Sequence, residues 1–425
     1  MPRILHFGIG NFHRAHQAWY TKLANEKSGG DWRITGVSLR SSAIRDQLKP
    51  QNFAYTLVTK DSDGVISDWI DVHDNVLVAQ EDNAQIIDRI ADPETTTITL
   101  TTTEKGYHLS DGNGELDKTS DAVIHDLAAN EPQTVYGFLF EGLMKRSRAD
   151  AGPINVISCD NLPGNGNRLA AAFTEFCKLK SPGSEWNFEK FLSFPNTMVD
   201  RIVPATTDAL REEVLMLTGR NDNCPVTTER FSEWYIEDRL IAPCPDWREV
   251  GVNFVADVAP FEVRKLRLLN GAHSYLAYAG LLAGYDYVHE AVRDAQLRAD
   301  LDQLWDEMLP TLPQSAAETA ATYCKFLLER FENPSLNHRL AQIAMDGSLK
   351  LPIRVLPVIR ERTEKGLASP MCRQVCEVWT KFVINAVRND QQLDDPSASE
   401  FGALALEFSD DDVLGNRIIA TLGVI

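Results

Sequence analysis

Within twelve residues, Glu262-Val263-Arg264-Lys265-Leu266-Arg267-Leu268-Leu269-Asn270-Gly271-Ala272-His273 gathers a carboxylate, an amine, an amide and an imidazole. Read as an α-helix turning about 100° per residue, Lys265 and His273 lie about 80° apart and Asn270 and His273 about 60° apart. Glu262 falls about 20° from His273, so all four share an arc of about 140°. Hydride removal from a secondary alcohol needs a base for the hydroxyl proton and donors around the oxygen. A partly desolvated lysine serves as such a base near neutral pH, so Lys265 is the candidate. Asn270 can donate to the developing alkoxide, and His273 can bind a neighbouring hydroxyl or orient the lysine. The same pattern is also the polar edge of an amphipathic helix. Asn270-Gly271 in mid-helix is locally unfavourable, and that inconsistency leans towards function.

A second signal opens the chain. Gly8-Ile9-Gly10 follows the apolar run Arg3–Phe7 and precedes a helical pattern from His13 to about Ala24. In that context a glycine turn admits a pyrophosphate. The third glycine of the usual pattern is replaced by His13. Gly8, Gly10, Asn11 and Phe12 are the candidate cofactor contacts of this turn. No carboxylate closes the second strand, which ends Leu39-Arg40-Ser41-Ser42. Arg40 there could receive a 2′-phosphate, which keeps NADP open beside NAD. Two further polar clusters follow strands: Thr103-Glu104-Lys105-Gly106-Tyr107, and Ser158-Cys159-Asp160-Asn161. Each is also readable as a plain turn.

These residues need a scaffold. Arg3–Phe7, Arg33–Leu39, Ala54–Thr59, Thr96–Thr102, Ile154–Ser158 and Val199–Val203 are β-rich runs alternating with helical patterns, as in parallel βαβ units. From Phe261 the texture turns helical over 261–285, 291–308, 316–331, 336–344, 370–386 and 398–408, with Pro310, Pro313, Asn333-Pro334, Asp346-Gly347 and Asp394–Pro396 as breakers. The expected class is α/β: a doubly wound Rossmann-type domain over 1–255, then an all-α domain over 256–425. Asp410-Asp411-Asp412 reads as a helix start rather than a metal site.

The 425 residues carry 42 basic and 61 acidic side chains, a net charge of −19, with 44% apolar residues. No basic cluster could neutralise a row of phosphates, so neither nucleic acid nor an anionic membrane is an expected partner. Seven scattered cysteines form no CxxC pair, and Cys372 and Cys376, one helical turn apart, read as packing. No run reaches the ~18 apolar residues of a membrane span. A reduced, cytoplasmic protein is expected.

Taken together, the motifs resemble the polyol-specific long-chain dehydrogenases, the family of mannitol 2-dehydrogenase and the hexuronate reductases. The resemblance spans nearly the whole chain: GIGNFHRAHQ at 8–17, TEKGY at 103–107, SCDN at 158–161, MVDRIVP at 198–204, FVADVAPFE at 254–262, KLRLLNGAHS at 265–274, and RFENPS with IAMDGSLKLP between 330 and 352. It implies a Rossmann-type domain, a helical domain, a catalytic site between them, NAD as cofactor and no metal. It implies Lys265 as general base, Asn161 and Asn270 as the pair holding the substrate oxygen, and His273 as substrate-positioning. Glu262 is then the carboxylate linking the lysine to solvent, and Asp200 and Lys350 match substrate-contacting positions. Thr103 and Glu104 fall on the cofactor side. A monomer or weak homo-oligomer is implied as well.

Two departures bear on substrate. Mannitol dehydrogenases carry an arginine where this chain has Gln342, and TEGGY where it has TEKGY. Both departures are closer to fructuronate reductase, and Lys105 could pair with a substrate carboxylate. The expected substrate is therefore an open-chain polyol of the mannitol or arabinitol kind, with a hexonate as the alternative. Among rival classes, no tyrosine has a lysine four residues later, which removes the Tyr-x-x-x-Lys chemistry. Scattered Cys and His offer no zinc-dependent alcohol dehydrogenase pattern. A non-catalytic NAD-binding sensor is the alternative from another class, opposed by the intact Lys265, Asn270 and His273.

Overall fold

The structure is a computed structural model describing residues 2–61, 64–110, 114–129, 131–183 and 191–423. Its contacts divide into two compact units, Met1–Ala259 and Pro260–Ile425.

The first unit is built on a six-stranded sheet. Its strands are β1 (Arg3–Phe7), β2 (Arg33–Ser38), β5 (His73–Val78), β6 (Thr95–Leu100), β7 (Ile154–Ser158) and β8 (Leu192–Ser193), in the order β5-β2-β1-β6-β7-β8. Every neighbouring pair is parallel. Counted in chain order, that is the 3-2-1-4-5-6 order of a dinucleotide-binding sheet. Alternation along the strands sends side chains to two cores. Leu5, Phe7, Ile98, Leu100, Ile154 and Val156 join one cluster, while Ile4, Ile34, Val76 and Ile157 join the other. Both faces are covered, and the polar side chains His6, Thr97, Thr99 and Asn155 are buried along with the apolar ones.

Several expectations change here. The run at 54–59 is a strand, β3 (Tyr55–Asp61), but it stands outside the main sheet. It pairs antiparallel with β4 (Gly64–Ile70) and parallel with β10 (Val226–Glu229). The run at 199–203 is likewise displaced, as β9 (Thr197–Asp200), antiparallel to β11 (Glu233–Glu237), which pairs in parallel with β12 (Asn253–Val255). The single helix expected from His13 is two helices, Asn11–Ala15 and Gln17–Ser28, broken at His16.

The second unit is helical, with Ala272–Leu282 at its centre. That helix is buried on all sides from Ala272 to Gly280, as a core helix must be. Ala295–Met308, Leu340–Ala344 and Pro370–Arg388 pack around it. Two helices not anticipated are Gly347–Arg354, which contains Pro352, and Leu356–Glu364, which opens with Pro357 in its first turn. Asp410 caps the Asp411–Thr421 helix by accepting from the Asp412 and Val413 amides at 2.9 and 3.1 Å, so this acidic run is a helix start. Cys372 and Cys376 are buried, and burial pushes the Cys376 thiol up to about 12.

Candidate active site

The run from Ala259 to Leu282 is one helix with a fault in it. Ala259–Arg264 is α-helical, Lys265–Gly271 is a π turn, and Ala272–Leu282 is α-helical again. A π turn closes i to i+5, wider than the 3.6 residues of an α-helix. The uniform step of about 100° therefore fails between Lys265 and His273, and the angular positions reckoned from it are replaced by the observed ones. Lys265 opens the wide turn, Asn270 and Gly271 close it, and His273 follows in the second residue of the next helix. The unfavourable Asn-Gly pair marks its end.

Lys265, Asn270 and Glu262 are part-buried, and His273 is 8% exposed. The His273 ring lies 4.8 Å from Phe331 and meets His338 edge-on at 5.0 Å. Burial holds His273 well below its ordinary range, with the His338 ring and the charges of Arg330 and Arg354 acting in the same direction. Its Nε2 is buried without a protein partner among the described residues. A neutral imidazole with an unsatisfied nitrogen suits a ligand hydroxyl. His338, which the sequence did not single out, is held at about 4, by burial first and by Arg330.

Lys350 stands in the Gly347–Arg354 helix. Its ammonium donates to the carbonyls of Met345 at 2.6 Å and Ile343 at 3.4 Å, at the end of the Leu340–Ala344 helix. Burial lowers its pKa, with the Arg354 charge adding to the effect. Lys350 thus supplies donors to a helix C-terminus. Gln342, where mannitol dehydrogenases carry arginine, is exposed.

In the first unit, the glycines of the opening turn differ in purpose. Gly8 has φ +94°, and a Cβ there would stand 2.0 Å from Thr101 O. Only glycine fits. A Cβ on Gly10 would meet nothing nearer than Gly8 O at 3.9 Å, which leaves the open approach a pyrophosphate requires. His13, in place of the third glycine, is buried, stacked on His6 at 3.4 Å and bonded through Nε2 to His73 Nε2 at 2.9 Å. Asn11 is spent on the protein: its amide donates to Pro204 O and Thr206 Oγ1, both at 3.2 Å. Phe12 stacks on His16.

The two polar clusters prove to be one assembly. Asp160 accepts from the amides of Thr102 and Thr103, both at 2.9 Å, and from the Tyr107 hydroxyl at 2.8 Å, tying the ends of β6 and β7 together. Burial raises the Asp160 pKa against these bonds, which act to lower it. Thr103 is exposed with φ +66°, a strained conformation for a β-branched residue. Asn161 follows Asp160 at an exposed position, and Asp200 is buried on β9. The Glu104 side chain falls outside the described part of the structure. Arg40 and Lys105, both exposed, line one cavity of about 870 Å³ with Leu39, Thr102 and His108. The cavity lies at the carboxyl ends of β2 and β6, where such sheets bind ligands. Lys105 is thereby grouped with Arg40. Among the described residues, no three His, Cys, Asp or Glu side chains converge to hold a metal, and no helix is long and apolar enough to cross a membrane.

Comparison with known proteins follows these two units. Residues 2–249 match the mannitol dehydrogenase Rossmann domain, and residues 257–414 the mannitol dehydrogenase C-terminal domain. Uncharacterized oxidoreductase YeiQ of Escherichia coli (strain K12) is 41% identical over 84% of this chain and 74% of its own length. D-mannonate oxidoreductase of the same organism is 36% identical over 99% of this chain and 88% of its own. Mannitol 2-dehydrogenase of Pseudomonas fluorescens, solved as a ternary complex with NAD and D-mannitol, superposes with a TM-score of 0.82 at 35% identity, covering 99% of this chain and 86% of that one. The chain belongs to the mannitol dehydrogenase family.

Proposed function

We propose that this chain is an NAD-dependent oxidoreductase that interconverts a secondary alcohol of an open-chain polyol with the corresponding ketose, without a metal. The observation that carries the reading is the π turn that starts at Lys265, ends at Asn270-Gly271 and leads directly to His273, whose Nε2 has no protein partner among the described residues. NAD, when bound, supplies the hydride acceptor. The protein's own groups do the rest. Lys265 takes the hydroxyl proton, and Glu262, one helical turn before it, passes that proton towards solvent. Asn270 donates to the oxygen as charge develops there, and Asn161 has the companion role. His273, kept neutral by burial, orients a neighbouring hydroxyl. The open space at Gly10 suits the dinucleotide, and Arg40 and Lys105 are the basic side chains of a cavity that Glu81 and Glu131 also line.

The test is Lys265→Ala with absorbance followed at 340 nm. Turnover should fall by several orders of magnitude, while NADH binding, read by fluorescence, stays within about twofold. Undiminished turnover would refute the assignment. A hexonate substrate is the second reading, favoured by Gln342 and Lys105 at the two departures and by the likeness to D-mannonate oxidoreductase. Initial rates with mannitol, arabinitol, sorbitol, mannonate and altronate, each with NAD⁺ and NADP⁺, decide between them.

A further inference from the structure

A π turn closes i to i+5, and where it rejoins an α-helix the backbone pairing shifts by one residue, which opens carbonyls near the junction to donors from outside. Two of them are met from outside the helix. Trp305 Nε1–H donates to Leu268 O at 3.0 Å from within the core. Arg354 Nη1 donates to Asn270 O at 3.3 Å, and the same nitrogen reaches Ser274 Oγ at 3.1 Å. One guanidinium thus bridges the junction where the π turn becomes the Ala272–Leu282 helix. His273 lies between the two residues it holds.

Other contacts press the turn into place. Arg267, within it, donates to Glu361 through both terminal nitrogens and to Thr311 O. Gly271 leaves no room on its other side, since a Cβ there would stand 2.8 Å from Met308 Cε. Arg354 differs from these contacts in what it holds. It grips the backbone of Asn270 itself, and it is delivered by the helix that carries Lys350.

We infer that Arg354 is a positioning residue, whose bonds to Asn270 O and Ser274 Oγ fix the wide turn in the register that orients the Asn270 amide and the His273 imidazole. The inference rests on the proposed roles of Lys265 and Asn270. Arg354 acts through them and touches no reacting atom. Both bonds leave one nitrogen of a planar guanidinium with fixed N–H directions, whereas a lysine ammonium on a flexible stem would hold the same acceptors less rigidly. Arg354→Lys should therefore retain part of the function and Arg354→Met little.

The test uses the full chain, with NAD⁺ and D-mannitol or D-mannonate, together with deuterium exchange of peptides covering residues 265–282. Arg354→Met should lower kcat about ten- to a hundredfold, as a misplacement of about 1 Å does, with KM nearly unchanged. Deuterium uptake should rise over 265–274, with Arg354→Lys intermediate in both measurements. Ser274→Ala, which removes one of the two acceptors, should move both in the same direction and carries the test if Arg354→Met does not fold. Unchanged uptake overturns the inference, as does unchanged kcat beside an active wild type. A rise in KM alone also overturns it, because Arg354 would then be a substrate contact. Lys265→Ala is run in parallel. If that variant stays active, the general-base reading fails, while exchange still decides whether Arg354 holds the turn. Should neither substrate be oxidised, the exchange result decides alone.

Discussion

His273 cannot be charged at neutral pH without bringing a cation into a buried pocket that already feels Arg330 and Arg354. Any inflection of activity between pH 6 and pH 9 therefore belongs to another group. Expected for His273→Asn is a raised KM for the sugar with the alkaline inflection of kcat preserved; loss of that inflection in a pH–rate profile would contradict the neutral imidazole. Lys350 makes a contrasting case. Its ammonium satisfies carbonyls at 343 and 345, so Lys350→Met should cost about 1–2 kcal/mol in chemical denaturation from the unmet acceptors. A variant as stable as the parent would remove the capping role. At this scale the sequence was informative about identity and poor about partners. Lys265, Asn270 and His273 stand out by type and spacing, whereas nothing near Asn337-His338-Arg339 or at Arg354 announces what those side chains meet. Such contacts join positions many residues apart, beyond the reach of any local pattern.

Elements show the same division. β1 and β7 match the runs read from the sequence, because parallel strands covered on both faces are mostly apolar, with His6 and Asn155 as buried exceptions. The run at 54–59 is equally apolar and yet belongs to a different sheet, since periodicity reports a strand and not its neighbour. Gly347–Arg354 and Leu356–Glu364 were hidden by Pro352 and Pro357, one tolerated inside a helix and the other at home in a first turn. The wide turn escaped a reading made at constant pitch, though the Asn-Gly pair was its visible trace. Asp160 yields a prediction of this order. Replacing it with alanine strips two amides and a hydroxyl of their acceptor and releases the strained Thr103. A loss of about 2–4 kcal/mol follows from the bonds alone. Weaker NADH binding should accompany it, measured by fluorescence titration; unaltered affinity would separate this assembly from the cofactor.

For the molecule as a whole, the buried histidines matter more than the net charge of −19. His6 and His73 are held at about 3, His338 at about 4, and His13 and His273 well below the ordinary value, burial being the largest cause in each. The sign is set by the unfolded chain, whose histidines take up protons near pH 6.5 while the folded ones refuse them. Folding stability is therefore whole above about pH 7 and declines as pH falls through 6.5 towards the folded values of 3 to 4. Each histidine contributes up to about 1.4 kcal/mol per pH unit in that window. Thermal denaturation at pH 7.5, 6.5 and 5.5 should show a falling Tm, steeper at the acid end, and a flat profile would be inconsistent with neutral burial. The π turn between Lys265 and Gly271 has a consequence for how this protein can change over generations. Each step of the wide turn rotates and rises less than an α step, so the turn takes up its extra residue locally. Removing one codon between 266 and 270 would let the helix close at regular pitch, with Tyr275, Leu276 and Tyr278 still near their present neighbours in the centre of the second unit. What the deletion would take away is the widened stretch from Lys265 to His273. The fold could outlive the loss of a residue that the site could not.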